Sequence, residues 1–214
     1  MKGLQNTHPW SATSSLRRFI GLVVVSLLLT FAFVLSGYSG KLLPSANAAS
    51  ITHTSASSNS ASYPIKVFFS RSPESLNTNP SAVYPVDRVS PTIAVGTFSL
   101  QLLIAGPTLS ERNAGYFTEL NTLLSGPSSC SAPLPVGGPD FTLTLNMKGS
   151  VPETGTATVK FCRTISSPGI GADARVTAEI NATLKQFSNI KKVVILTKDG
   201  HCFGDGSGKD LCLH

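Results

Sequence analysis

Hydrophobic positions follow three regimes along the chain. From Phe19 to Leu35 they run together, interrupted only by Gly21, Ser26 and Thr30. From residue 49 to 62 they nearly vanish: Ser50-Ile51-Thr52-His53-Thr54-Ser55-Ala56-Ser57-Ser58-Asn59-Ser60-Ala61-Ser62 has too little to bury to offset the entropy of its own ordering, so it reads as a tether with His53 a solvated linker residue. From Tyr63 onward they return in short alternating or helically spaced groups, the mark of a folded domain over residues 63 to 214.

Within that domain, Ile65-Lys66-Val67-Phe68-Phe69 predicts a buried strand, and Val83 to Val89 a second extended segment that Pro85 confines to a sheet edge. Ser90-Pro91 predicts an N-cap followed by Pro at the first helical position. The helix then runs from Pro91 to Ala105, with Val95, Phe98, Leu102 and Leu103 on its apolar face, and stops at Gly106-Pro107. Thr108-Leu109-Ser110-Glu111 is a capping box that restarts a short helix to about Ala114, ending at Gly115. The stretch from Tyr116 to Leu124 fits helix or strand, and a loop carrying Cys130 follows. Phe141 to Met147 and Thr156 to Phe161 alternate as a hairpin with one wet face, joined by a turn region containing Gly and Pro. Asp173 predicts the cap of a long helix to about Phe187, because Val176, Ile180, Leu184 and Phe187 recur at helical spacing. Val193 to Leu196 is a buried strand, and Asp199-Gly200 a turn before Cys202. Mixed order without strict strand-helix alternation predicts an α+β domain, two main helices packed on one face of a mostly antiparallel sheet.

The apolar run changes the picture of charge. The 214-residue chain carries a net +6, which by itself suggests nucleic acid or an anionic surface as partner. Yet Lys2, Arg17, Arg18 and Lys41 precede Ala49 while all 11 acids follow it, leaving the remainder at +2. No electrostatic case for nucleic acid survives. Arg17 and Arg18 before an apolar run form the order of an export signal, and Ala46 and Ala48 supply small residues for cleavage after Ala48. Residues 1–48 thus read as a signal peptide or, uncleaved, as a signal anchor, since the run approaches the length that spans a bilayer. No cysteine near the end of the run offers a lipid-attachment site. Either way the domain lies outside, extracellular or at the cell surface, touching membrane only through residues 19–35.

Cys130, Cys162, Cys202 and Cys212 all lie in the exported part, where disulfides persist. Cys202 and Cys212 flank a Gly-rich stretch that folds back easily, which leaves Cys130 for Cys162. A zinc site is the rival, but no C-x-x-C occurs and only His201 and His214 lie near a cysteine.

Chemistry-bearing motifs are sparse. There is no G-x-S-x-G elbow, Walker loop or dinucleotide fingerprint, so no cofactor or metal is expected. Gly204-Asp205-Gly206-Ser207-Gly208 reads as a disulfide loop, and Asp205 and Asp210 lack the ladder of an EF-hand. Asp87, Glu111, Glu119, Asp140 and Asp173 could converge as paired carboxylates of a hydrolase, although each has a local role: Asp87 beside Arg88 or ending a strand, Glu111 in its capping box, Asp173 as a cap. Asn181-Ala182-Thr183 matches a glycosylation acceptor but falls within a helix.

The string from Arg88 through Leu102-Leu103-Ile104-Ala105-Gly106-Pro107-Thr108-Leu109-Ser110-Glu111-Arg112-Asn113-Ala114-Gly115-Tyr116 resembles the GerMN domain of bacterial sporulation and spore-germination proteins. There a helix ends in Leu-x-x-Gly-Pro-Thr-x-x-Glu-x-x-x-Gly after an opening strand and an Arg-containing edge. Thr156 to Phe161, Ala178 to Phe187 and Val193 to Gly200 follow in the family's order, so the resemblance covers roughly residues 64 to 203. It implies a non-enzymatic, ring-building-motif-like envelope module that binds envelope proteins or itself, with Arg88, Gly106, Pro107, Thr108, Glu111, Gly115 and Tyr116 as the motif and candidate interface. The loop from Leu123 to Asp140 and the cysteines depart from the family pattern. The alternatives are a small-ligand or glycan-binding module, with a cleft near Arg88, Glu111 and Tyr116, and a carboxylate hydrolase.

Overall fold

The computed structural model describes residues 61–131 and 137–214. The leader, most of the serine-rich tether and the centre of the loop from Leu123 to Asp140 lie outside the described residues. The first strand, β1 (Tyr63–Arg71), buries Ile65, Val67 and Phe69 on one face, as its alternation dictates. After a short α1 (Glu74–Asn77), β2 (Tyr84–Ser90) pairs antiparallel with β1 from Tyr63↔Ser90 to Phe69↔Tyr84 and forms the outer edge of a β2-β1-β3 sheet. Pro85 is therefore at an edge, where its missing donor costs nothing.

Helix α2 (Val95–Ala105) begins four residues later than Ser90-Pro91 predicts. Ser90 ends β2, and its hydroxyl bonds the Thr92 carbonyl and amide instead of capping the helix, so Pro91 is not the first helical residue. The buried face also differs from the expected one: Thr97, Ser99, Leu100 and Leu103 turn inward, while Val95, Phe98 and Leu102 are half-buried. Strand pairing won over capping here, since extending β2 to Ser90 completes its register with Tyr63.

The capping box then nucleates α3 (Leu109–Asn113), followed by β3 (Tyr116–Phe117), α4 (Leu120–Leu123) and β4 (Leu124–Ser125). The ambiguous stretch thus alternates single turns of each kind. The hairpin β5 (Phe141–Lys148) and β6 (Val151–Phe161) turns more tightly than expected, at Gly149-Ser150, with Pro152 already inside β6 and a bulge between Leu145 and Met147. A two-residue β7 (Thr164–Ile165) pairs with β4.

Helix α5 (Ile170–Lys185) has Gly169, not Asp173, at its N-cap; Asp173 sits in the first turn. Its predicted stripe holds: Val176, Ile180 and Leu184 are fully buried, each worth about 1.5–3 kcal/mol of apolar burial. The last strand, β8 (Lys192–Leu196), runs parallel to β6 at the far side of a β5-β6-β8 sheet, the one parallel pairing among the described strands. A 3-10 turn (Leu211–Leu213) closes the chain.

The fold is α+β, as the mixed element order predicts, with the strands divided among three small sheets. Both main helices, α2 and α5, pack on β1 and on each other, and α5 also reaches β8. One core joins Val67, Phe69, Leu100, Phe141, Phe161 and Ile180; a second, smaller one joins Val194 and Leu196 to Cys202, Cys212 and Leu213. Disulfides Cys130–Cys162 and Cys202–Cys212 staple the two regions and are compatible with an oxidising, exported environment. No helix among the described residues is long and apolar enough to cross a membrane.

Candidate functional site

The segment from Leu102 to Tyr116 is built by local rules. At the end of α2, Gly106 adopts a left-handed φ of +83° and its N–H donates to the Leu102 and Leu103 carbonyls. Pro107 is buried and blocks continuation. The Thr108 hydroxyl accepts from the Glu111 N–H, and Glu111 Oε2 accepts from the Thr108 N–H at 2.8 Å, the reciprocal pair that the spacing predicts. The same Oε2 takes the Arg88 guanidinium at 2.6 Å. The Arg88 hydrogen bond and the Thr108 contacts outweigh desolvation and push the Glu111 carboxyl down to about 2.

Gly115 has φ +90°, and its carbonyl accepts from Ser72 N–H at 2.9 Å; a Cβ there would lie 3.1 Å from the Ser72 carbonyl oxygen. Tyr116 pairs with Arg71, whose guanidinium lies 5.3 Å from the Tyr116 ring centroid and 6.0 Å from that of Tyr84. The motif residues thus form two adjacent clusters, Arg88–Thr108–Glu111 and Gly115–Tyr116–Arg71. Arg88 and Glu111 face each other, with side-chain exposures of 20% and 18%. The arrangement is a clip fastening α3 to the edge strand β2.

The five carboxylates do not converge. Asp87 meets Lys66 across the β1–β2 pair, Glu119 meets Arg175, Asp140 meets Arg163, Glu111 meets Arg88, and Asp173 stands against Gly204. Around the C-terminal disulfide, Asp210 accepts from the Cys202 N–H and contacts His201 Nδ1 at 3.0 Å, which raises the imidazole pKa. Asp205 accepts from the Ser207 and Leu211 amides. Cys202, Asp205 and Asp210 approach one another closely enough to suggest a metal, but the Cys202 sulfur is locked in its disulfide and the two carboxylates order the loop backbone. The amide of Asn181 donates to the Thr177 carbonyl of its own helix, so the glycosylation match is part of α5.

Two features were not foreseen. One is an apolar groove of about 450 Å³ between the start of α2, β5 and the end of α5, lined by Ile93, Val95, Leu143, Leu145, Phe187 and Ile190 among others, with no charged residue on its walls. It continues into a hollow of about 410 Å³ lined by Pro91, Thr92, Phe98 and Gln101. Ile93 at its rim is 79% exposed, and Leu145 47%. Placing the helix start at Pro91 hid this feature, because Ile93 then reads as part of a packed helix. The other is Glu179 on α5, a carboxyl only 1% exposed that accepts from the Ser70 N–H at 2.9 Å and the Thr118 hydroxyl at 2.6 Å. The signal for it was a charge beside the Val176–Ile180 stripe. No family model, no curated protein and no solved structure matches this chain.

Proposed function

We propose that this is a non-enzymatic, exported or membrane-tethered envelope domain of the GerMN kind, acting by binding protein, with a second copy of itself the first partner to test. The observation that carries the reading is the uncharged apolar groove around Ile93. Isolated apolar residues on a surface are ordinary, but a contiguous apolar hollow rimmed by a 79%-exposed isoleucine matches the dry centre of a protein contact. The Leu102–Tyr116 motif supports this surface indirectly, by ending α2 and clipping α3 to the edge strand. Asp87, Glu111, Glu119 and Asp140 each pair with a different basic side chain, which favours binding over a paired-carboxylate hydrolase. A role in sporulation or germination rests on the family resemblance alone.

Sedimentation of residues 61–214 over a range of concentrations tests the proposal. The expected result is concentration-dependent oligomers that Ile93→Glu weakens at least about tenfold, with folding stability changed by less than about 0.5 kcal/mol because Ile93 is exposed. A strict monomer at high concentration would sink self-association as the mode of binding.

A further inference from the structure

Among the described residues, no strand pairs with the inner edge of β1 over most of its length. β2 takes one side of β1 from Tyr63 to Phe69, and β3 reaches the other side only at Ser70 and Arg71. In place of a strand, α5 and its C-cap residue Gln186 lay a polar ladder along that edge. Gln186 Oε1 accepts from the Lys66 N–H at 2.7 Å, Thr183 Oγ1 from the Phe68 N–H at 3.1 Å, and Glu179 Oε1 from the Ser70 N–H at 2.9 Å. Positions 179, 183 and 186 lie on one helix face, and 66, 68 and 70 on one side of a strand, so two periodicities mesh rung by rung. Gln186 completes its rung by donating to the Lys66 carbonyl at 2.6 Å.

Of the three rungs, only Glu179 can change its charge. Its second oxygen takes the Thr118 hydroxyl, which in turn accepts from the Leu120 N–H, so one carboxyl ties together α5, β1 and the turn leading into α4. Among the described residues, no cation pairs with it. The nearby Arg175 guanidinium is taken by Glu119, with contacts at 2.7 and 3.2 Å. Among other ionisable groups on the packed elements, β1 carries Tyr63, Lys66 and Arg71, α5 carries Asp173, Arg175 and Lys185, β3 carries Tyr116, and β8 carries Lys192, while α2 carries none. Of these neighbours, the charge that acts on Glu179 is that of Glu119, and it is repulsive. Ser70 Oγ, fully buried and without a hydrogen-bond partner of good geometry, lies beside the carboxyl.

We propose that Glu179 is a proton-operated latch between α5 and the inner edge of β1, tight while the carboxyl keeps its proton and loosened when the proton leaves. A neutral carboxyl buries no charge and has the unpartnered Ser70 Oγ beside it as an acceptor for its own proton, whereas the carboxylate would sit in the core with two hydrogen bonds and no counter-ion. Burial accordingly pushes Glu179 up to about 7, against the opposing hydrogen bonds from Thr118 and Ser70, with the Glu119 charge adding to the rise. The sign follows. The unfolded chain loses this proton near 4.5 and the folded one near 7, so the stabilising effect is present below 4.5 and is lost as pH rises through 7.

The test compares wild type with Glu179→Gln by denaturant unfolding between pH 5 and pH 8. Through this group alone, the folding constant of the wild type should fall by roughly fifty- to a hundredfold across that range, and the variant should lack this fall. His201, whose pKa is raised by Asp210, is present in both proteins and cancels in the difference. Should the variant not fold, carbon-detected NMR titration of the wild-type Glu179 carboxyl, with hydrogen exchange at the Ser70 amide, decides the matter. A midpoint near 7, accompanied by loss of Ser70 protection beyond the ordinary pH effect on exchange, supports the latch. A midpoint below about 5.5, or an unchanged pH slope in a folded variant, overturns it.

Discussion

Glu111 fastens α3 to β2 and Glu179 fastens α5 to β1, the two strands of one antiparallel pair, and they do so under opposite electrostatic conditions. Glu111 lies near the surface, meets the Arg88 guanidinium on β2 and is pushed down to about 2. Glu179 lies in the core, meets only neutral donors on and beside β1 and is pushed up to about 7. The hydrogen-bond geometries are similar, between 2.6 and 2.9 Å at the short contacts. What differs is whether a counter-charge or low polarity surrounds the oxygen atoms. The same side chain thereby becomes a fastener that prefers its charge against β2 and its proton against β1.

The largest effect expected on this comparison comes from Glu179→Ala. It leaves the Ser70 N–H and Thr118 hydroxyl without their acceptor and opens a cavity beneath α5, so urea unfolding at pH 5 should show a loss of about 2–4 kcal/mol. A loss under about 1 kcal/mol would mean that the ladder contributes little to holding the helix.

Glu111→Gln should cost less, about 1 kcal/mol at pH 7. The capping contacts and the Arg88 pair, about one-fifth exposed, are partly screened by water, so the full pKa shift does not convert into stability. Its pH signature is opposite in sign to that of Glu179. The folded carboxyl is depressed, so its contribution is present above 4.5 and lost as pH falls through about 2. The stabilities of wild type and variant should therefore converge as pH falls toward 2, and parallel stability curves down to that pH would contradict the assignment.

The smallest effect is that of Arg88→Ala, a few tenths of a kcal/mol to about 1 in stability. Its sharper readout is the Glu111 carboxyl, which should return part of the way toward 4.5 in an NMR titration while the Thr108 capping contacts keep it below that value. A Glu111 midpoint unmoved by the substitution would show that the capping box alone sets it.

Much of this was legible in the chain because it is local. The capping box needs only Thr108 and Glu111 at their three-residue spacing, and Gly106-Pro107 stops a helix wherever it falls. The Cys202–Cys212 staple follows from ten residues of separation and a Gly-rich stretch, which leaves Cys130 for Cys162. The stripe of Val176, Ile180 and Leu184 is a periodicity of one helix. The start of α2 was misread for an equally physical reason: Ser90 is a good cap by type, but its partner Tyr63 lies 27 residues upstream and draws it into a strand.

By itself, then, the sequence determined where elements stop, which cysteines join and which helix faces are apolar, because those are decided by neighbours within a turn or a short loop. It also placed four basic residues and no acid before Ala49, which leaves the rest of the chain at +2. Only the tertiary structure decided that β8 runs parallel to β6, that Ile93 stands at the rim of an apolar groove, and that a glutamate near the apolar stripe of α5 meets Ser70 across 109 residues and Thr118 across 61. A carboxyl's protonation depends on what surrounds it in space. Residues that distant along the chain become its surroundings only when the core closes.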